Sequence, residues 1–201
     1  MRCPHRLLAH EVAFPEPVED LRAAVRWVRS RAGRYDLDPG RVALWGSSAG
    51  AYLATMAALS GDRPLGRPVG ECVEPADVSA VVDHYGPADL GRLPDDAAPE
   101  ARAAVAAVVN RFLGHSPGDE CLSELTDPLR LAGPQAPPFL IVHGDADRQV
   151  GLRQSRWLHD GLRATGVGSE LAVLAGAGHT DPVFFSRPEI DRVVRFLNAR
   201  W

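Results

Sequence analysis

The chain has 201 residues, 45% hydrophobic and 24% charged, with a formal net charge of −4. That length suits one domain with its own core. The mild acidity, with no basic patch, argues against nucleic-acid or anionic-membrane binding. All 22 cationic side chains are Arg, and no window approaches the roughly 20 apolar residues of a membrane span.

Cys3, Cys72 and Cys121 have neither metal nor CxxC spacing. A Cys72–Cys121 disulfide would require export. Met1-Arg2-Cys3-Pro4-His5-Arg6 leads into no long apolar run, so no signal peptide is expected and a cytoplasmic location is.

In chain order, Arg6-Leu7-Leu8-Ala9-His10 reads as a strand end. Val18, Leu21, Val25 and Val28 space a helix over about Val18–Tyr35, with acids first and Arg later, as the helix dipole favours. Asp38-Pro39-Gly40 is a turn, Arg41–Trp45 a strand and Ala49–Leu59 a helix. Residues 60–77 form a Gly/Pro-rich loop. Val78–Asp83 is a buried strand, followed by an excursion over 86–136 with a helix at Pro99–Leu113. A strand over Phe139–His143, a helix near Leu152–Ala164 and a strand over Ser169–Leu174 follow. The last helix carries Ile190, Val193, Val194 and Leu197 on one face. Strands alternating with helices predict an α/β domain, a mostly parallel sheet flanked by helices. One domain over 1–201 is expected, with 86–136 a cap-like or pocket-shaping insertion.

Between the second strand and its helix stands Gly46-Ser47-Ser48-Ala49-Gly50. Gly-x-Ser-x-Gly at a strand-to-helix turn is the form of a nucleophile elbow. Residues two before and two after the serine must be small, which Gly46 and Gly50 satisfy for Ser48. Ser47 fails, because Trp45 would take the first small position.

Functional groups in parallel sheets gather beyond the carboxyl ends of the strands. Ser48, Asp147 and His179 all fall there, in the chain order of an α/β-hydrolase triad. A serine needs a base, and the imidazole needs a carboxylate to fix its tautomer. Asp145 and Asp181 are rivals for the acid. His143 and His84 read as hydrogen-bonded structural histidines, His5, His10, His115 and His159 as surface residues, and Asp89 and Asp127 as loop caps. No close metal spacing appears, so neither metal nor cofactor is expected.

Several ordered blocks carry a family resemblance. Phe14-Pro15-Glu16-Pro17-Val18-Glu19-Asp20-Leu21 and Asp38 through Gly50 resemble the bacterial esterase/lipase group of α/β-hydrolases, nearest the feruloyl-esterase-like branch beside the hormone-sensitive-lipase family. So do Tyr85-Gly86-Pro87-Ala88-Asp89-Leu90, Pro137 through Val150 with Gln154-Ser155, and Gly176-Ala177-Gly178-His179. The resemblance implies a carboxylesterase of small or acyl esters, with Ser48 the nucleophile, Asp147 the acid, His179 the base and the Ala49 N–H an oxyanion donor.

The family's His-Gly-Gly oxyanion loop has no counterpart in this sequence. Matching Arg6-Leu7 to the family pattern predicts a chain lacking its first strands, on the order of 60 residues at ordinary element lengths. The strand Val42-Ala43-Leu44-Trp45 would then lie at an exposed apolar edge, open to a second copy or a complementing chain. An exopeptidase-like hydrolase and a non-catalytic remnant or binding module stand as alternatives.

Overall fold

The computed structural model describes residues 13–61, 63–67, 69–70, 72–114 and 126–201. The strand end expected at 6–10, His5, His115, Cys3 and Cys121 lie outside these, and Cys72 carries a free thiol.

Strands β1 (Ala43–Ser47), β2 (Ala80–His84), β3 (Phe139–Gly144) and β4 (Ser169–Leu174) form a parallel sheet in that order. Helices α1 (Glu16–Ser30), α2 (Ala49–Ser60) and α5 (Leu152–Ala164) cover one face. With α4 (Arg102–Leu113) they enclose Val81, Phe139 and Ile141. Helix α6 (Arg187–Asn198) covers the other face, over Val82, Leu140 and Val142. The period-2 alternation of side chains along each strand divides the two cores. A short α3 (Leu93–Asp96) and a 3-10 turn at Pro128–Arg130 lie in the excursion between β2 and β3.

Several boundaries differ from expectation for local reasons. Helix α1 stops at Ser30 rather than Tyr35, giving way to a 3-10 turn at Ala32–Arg34. Gly33 weakens the helix there, and Asp36 turns the chain at φ 53°. The stripe of α1 is not purely apolar. Glu19 and Arg22 are fully buried beside Val18, and Glu19 Oε1 accepts the Leu65 N–H at 2.8 Å, tying α1 to the following loop. Strands β1 and β2 each start two residues later than expected, because their ladder opens at Ala43 against Ala80. The excursion helix starts at Arg102, three residues after its expected start. On α6, Val194 is 48% exposed and Phe196 takes its place in the core. The helix over Leu152–Ala164 and the strand over Ser169–Leu174 match expectation.

Among the described residues β1 pairs on one side only, and Trp45 on it is 44% exposed.

Two adjacent residues at the end of β2 bury opposite chemistry. Asp83 faces α2, accepting the Gly86 N–H at 2.8 Å and the Thr55 hydroxyl at 3.3 Å. Burial pushes its carboxyl up to about 6, against the pull of the Gly86 N–H, His143 and Thr55. His84 faces the other way, among Trp45, Tyr85, Phe184 and Phe185. Among the described residues neither of its ring nitrogens has a hydrogen-bond partner, contrary to the expectation of a hydrogen-bonded histidine. Burial lowers its pKa to about 4, with Glu189 opposing.

The sign for Asp83 follows from its raised value. The neutral acid favours folding, fully below about pH 4, and that contribution is lost as pH rises through about 6. Asp83→Asn keeps an acceptor for Gly86 and removes the titration. Its stability relative to the parent should therefore improve between pH 4.5 and pH 7, by on the order of 3 kcal/mol at most. Urea unfolding at both pH values measures this, and an unchanged difference would refute it.

Candidate active site

The site is assembled by three loops at the carboxyl end of the sheet. After β1 the chain reverses into α2 at Ser48, which sits at φ 53°, ψ −124°. That conformation is strained for a residue with a side chain. It is held by the Ser48 N–H, which donates to the His84 carbonyl at 2.9 Å. A Cβ on Gly46 would strike the Gly50 carbonyl, so Gly46 must lack one. A Cβ on Gly50 meets nothing within 4 Å among the described residues. Among the described residues the size constraint therefore falls on Gly46 and not on Gly50, because it is the carbonyl of Gly50 that closes the turn. Ala49 opens α2, where first-turn N–H groups have no partner within the helix.

The loops after β3 and β4 are bound to each other. Gly144 lies against the Ala177 carbonyl, where any Cβ would collide. Ala146 N–H donates to that same carbonyl at 3.1 Å. Asp145 Oδ1 accepts the Gly176 N–H at 2.7 Å, so this rival acid serves as a clasp between the loops. Asp181 accepts the Val183 N–H and caps a 3-10 turn at Pro182–Phe185.

Ser48 Oγ lies 3.0 Å from His179 Nε2, and His179 Nδ1 lies 2.7 Å from Asp147 Oδ2. An ionised carboxylate only accepts, so Nδ1 carries the proton and neutral Nε2 is left bare to take the serine proton. Tyr85, at φ 46°, packs edge-on against the His179 ring with centroids 4.9 Å apart. Asp147 is ringed by donors. Oδ1 accepts the Gln149 and Val150 N–H groups, both at 2.9 Å, and His143 Nε2 lies 3.3 Å from Oδ2. Burial alone would raise its pKa. The donors from His143, His179, Val150 and Gln149 outweigh burial and hold the carboxyl well below the usual range.

The sequence therefore picked out the three side chains that meet. It placed His143 as a hydrogen-bonded histidine without its contact to Asp147, and gave no sign of Tyr85 against the base. Asp89 and Asp127 cap loops as expected, accepting the Arg92 and Leu129 N–H groups. His159 is only partly exposed and bonds Ser169 at 2.9 Å. Among the described residues no three His, Cys, Asp or Glu side chains are placed to hold a metal, and no helix is long and apolar enough to cross a membrane.

The excursion is tied to the acid loop. Gln154 Oε1 accepts the Ala88 and Asp89 N–H groups at 2.8 and 2.7 Å, while its Nε2 donates to Asp96 at 2.6 Å. Ala98 N–H donates to the Arg148 carbonyl at 3.0 Å.

A family profile described as BD-FAE matches residues 2–162. The chain belongs to the BD-FAE family. Esterase LipQ of Mycobacterium tuberculosis is 32% identical over 172 residues, covering 83% of this chain and 39% of LipQ. The chain thus spans about two-fifths of that curated relative. A bifunctional GH43-CE protein of Bacteroides eggerthii superposes with a TM-score of 0.83 at 26% identity, over 97% of this chain and 26% of its own. A truncated carbohydrate esterase from gut microbiota superposes at 0.82 and 25% identity, over 96% of this chain and 70% of its own. The α/β-hydrolase architecture expected of this BD-FAE chain is therefore the one observed.

The elbow geometry makes an asymmetric prediction. Gly46→Ala should destabilise the protein by about 3 kcal/mol through overpacking against backbone. Gly50→Ala should gain roughly 0.5–1 kcal/mol as a helix residue. Denaturant unfolding of both variants checks this, and equal effects would contradict it.

Proposed function

We propose that this BD-FAE chain carries the reaction centre of a serine carboxylesterase acting on small or acyl esters. The observation that carries the reading is the unbroken hydrogen-bond chain Ser48–His179–Asp147. Ser48 Oγ attacks the ester carbonyl carbon as His179 Nε2 takes its proton. The Ala49 N–H supports the oxyanion, with a second donor from outside this elbow. His179 then protonates the departing alcohol, and the acyl group stays on Ser48. Water, losing its proton to His179, attacks the acyl carbon, and Ser48 recovers the proton as the acid leaves. Asp147 keeps the imidazole in the required tautomer throughout. Residues 86–136 shape the pocket, a reading supported by their ties to the acid loop. The esterase and carbohydrate-esterase names of its relatives favour acyl esters over peptides. A cytoplasmic setting goes with this reading, and the free Cys72 thiol fits it.

The edge of β1 supports a narrower, second reading: a second copy or complementing chain pairs there. Its support is the pairing of β1 on one side only among the described residues, and the exposure of Trp45 beside buried His84.

An alkyl fluorophosphonate should label the parent protein at Ser48 and leave Ser48→Ala unlabelled. Short p-nitrophenyl esters should lose at least about 10³-fold in rate in that variant. Folded parent protein that takes no label would sink the esterase reading. Hydrolysis that survives in Ser48→Ala would reject the nucleophile.

A further inference from the structure

One histidine behind the triad has no part in the proton relay, yet it touches the acid. His143 is the penultimate residue of β3 and is fully buried. Its Nε2 lies 2.8 Å from the Val150 carbonyl and 3.3 Å from Asp147 Oδ2. A carbonyl only accepts, so Nε2 carries the hydrogen and shares it between these two oxygens. Its Nδ1 lies 2.6 Å from Ser155 Oγ, on the first turn of α5. Ser155 is also fully buried and fixes the ring's orientation. The carboxyl groups facing this imidazole are Asp147 from its own loop and Asp83 from β2; α5 contributes the uncharged Ser155.

The arrangement closes on itself. Val150 donates its N–H to Asp147 Oδ1 while its carbonyl is held by His143. His143 also reaches Oδ2, the oxygen that holds His179. Both carboxylate oxygens are thus located by one buried side chain, one directly and one through a peptide unit.

We propose that His143, oriented by Ser155, is a positioning residue that fixes the Asp147 carboxylate and the Val150 peptide so that Oδ2 meets His179. This rests on the esterase reading for its consequence in turnover, but the arrangement of the carboxylate can be read without turnover. A residue that only fills the core would be replaceable by an apolar side chain. A positioning residue needs a donor at Nε2 and a second hydrogen-bonding atom toward Ser155, which the Gln amide can imitate.

The test compares the parent, His143→Leu, His143→Gln and Ser155→Ala. The first readout is the low-field proton resonance of His179 Nδ1–H, seen only while that proton is held from solvent by the carboxylate. The second is steady-state turnover of a p-nitrophenyl ester. In His143→Leu the resonance should be lost and kcat should fall roughly 10- to 100-fold, with KM little changed. His143→Gln should restore the resonance and most of kcat. Ser155→Ala should broaden the resonance and lower kcat by a smaller factor. A folded His143→Leu protein with the parent's resonance overturns the proposal, as does a folded His143→Gln protein without it. Should His143→Leu fail to fold, Ser155→Ala decides, and an unchanged resonance there overturns it. A parent protein that shows the resonance but no turnover would refute the esterase reading and leave this one standing.

Discussion

The arrangement depends on a missing atom. Gly46 lies against the Gly50 carbonyl, and only a residue without a Cβ lets the chain fold back so tightly between strand and helix. From that reversal follows the strained backbone of Ser48 and the exit direction of its hydroxyl. The strain has to be opposed elsewhere, and the neighbouring strand does so through the His84 carbonyl. The same device recurs across the sheet, where Gly144 lets the acid loop lie against the Ala177 carbonyl of the histidine loop. Two close backbone approaches thus bring three distant stretches of sequence within hydrogen-bond reach.

The centre of the sheet also shows how polar groups are tolerated in a core. Asp83 is surrounded by donors and still has its carboxyl raised to about 6, because burial outweighs them. His84 has aromatic rings for company, and burial lowers its pKa to about 4, which keeps the imidazole neutral in mild acid. Their effects on stability run oppositely. The Asp83 contribution falls as pH rises from about 4 to 6, whereas that of His84, whose value is lowered, is present above about 6.5 and is lost as pH falls toward 4. Over the interval between, the two slopes largely cancel, so this pair of neighbours makes the middle of the sheet indifferent to mild acidity.

Much of this was legible in the sequence. The pattern of apolar residues located α5 closely and β4 at its observed limits, because both are bounded by strong turn signals. That Ser48, Asp147 and His179 would meet was legible because all three fall beyond the carboxyl ends of strands in one parallel sheet. Other features were not. Strand limits on β1 and β2 are set by which residues face each other across the ladder, which no single segment reveals. Choosing Asp147 over Asp145 took the family resemblance. In space the difference is plain: one carboxylate turns toward His179 and the other toward the Gly176 N–H. The outward turn of Val194 and inward turn of Phe196 reflect which part of α6 the sheet reaches. The burial of His84 with no hydrogen-bond partner among the described residues had no local signal at all.

Gln154 joins two regions that are separate in the chain. One end of its amide holds the start of the excursion and the other holds Asp96, while the helix it sits on follows directly from the acid loop. The excursion is in this way bolted to the helix that follows the Asp147 loop. Substitutions that reshape the excursion will be felt at the carboxylate, and changes near the carboxylate will be felt in the excursion. A loop grafted in place of the excursion would therefore have to bring its own N–H groups for Gln154 Oε1 and its own acceptor for Nε2.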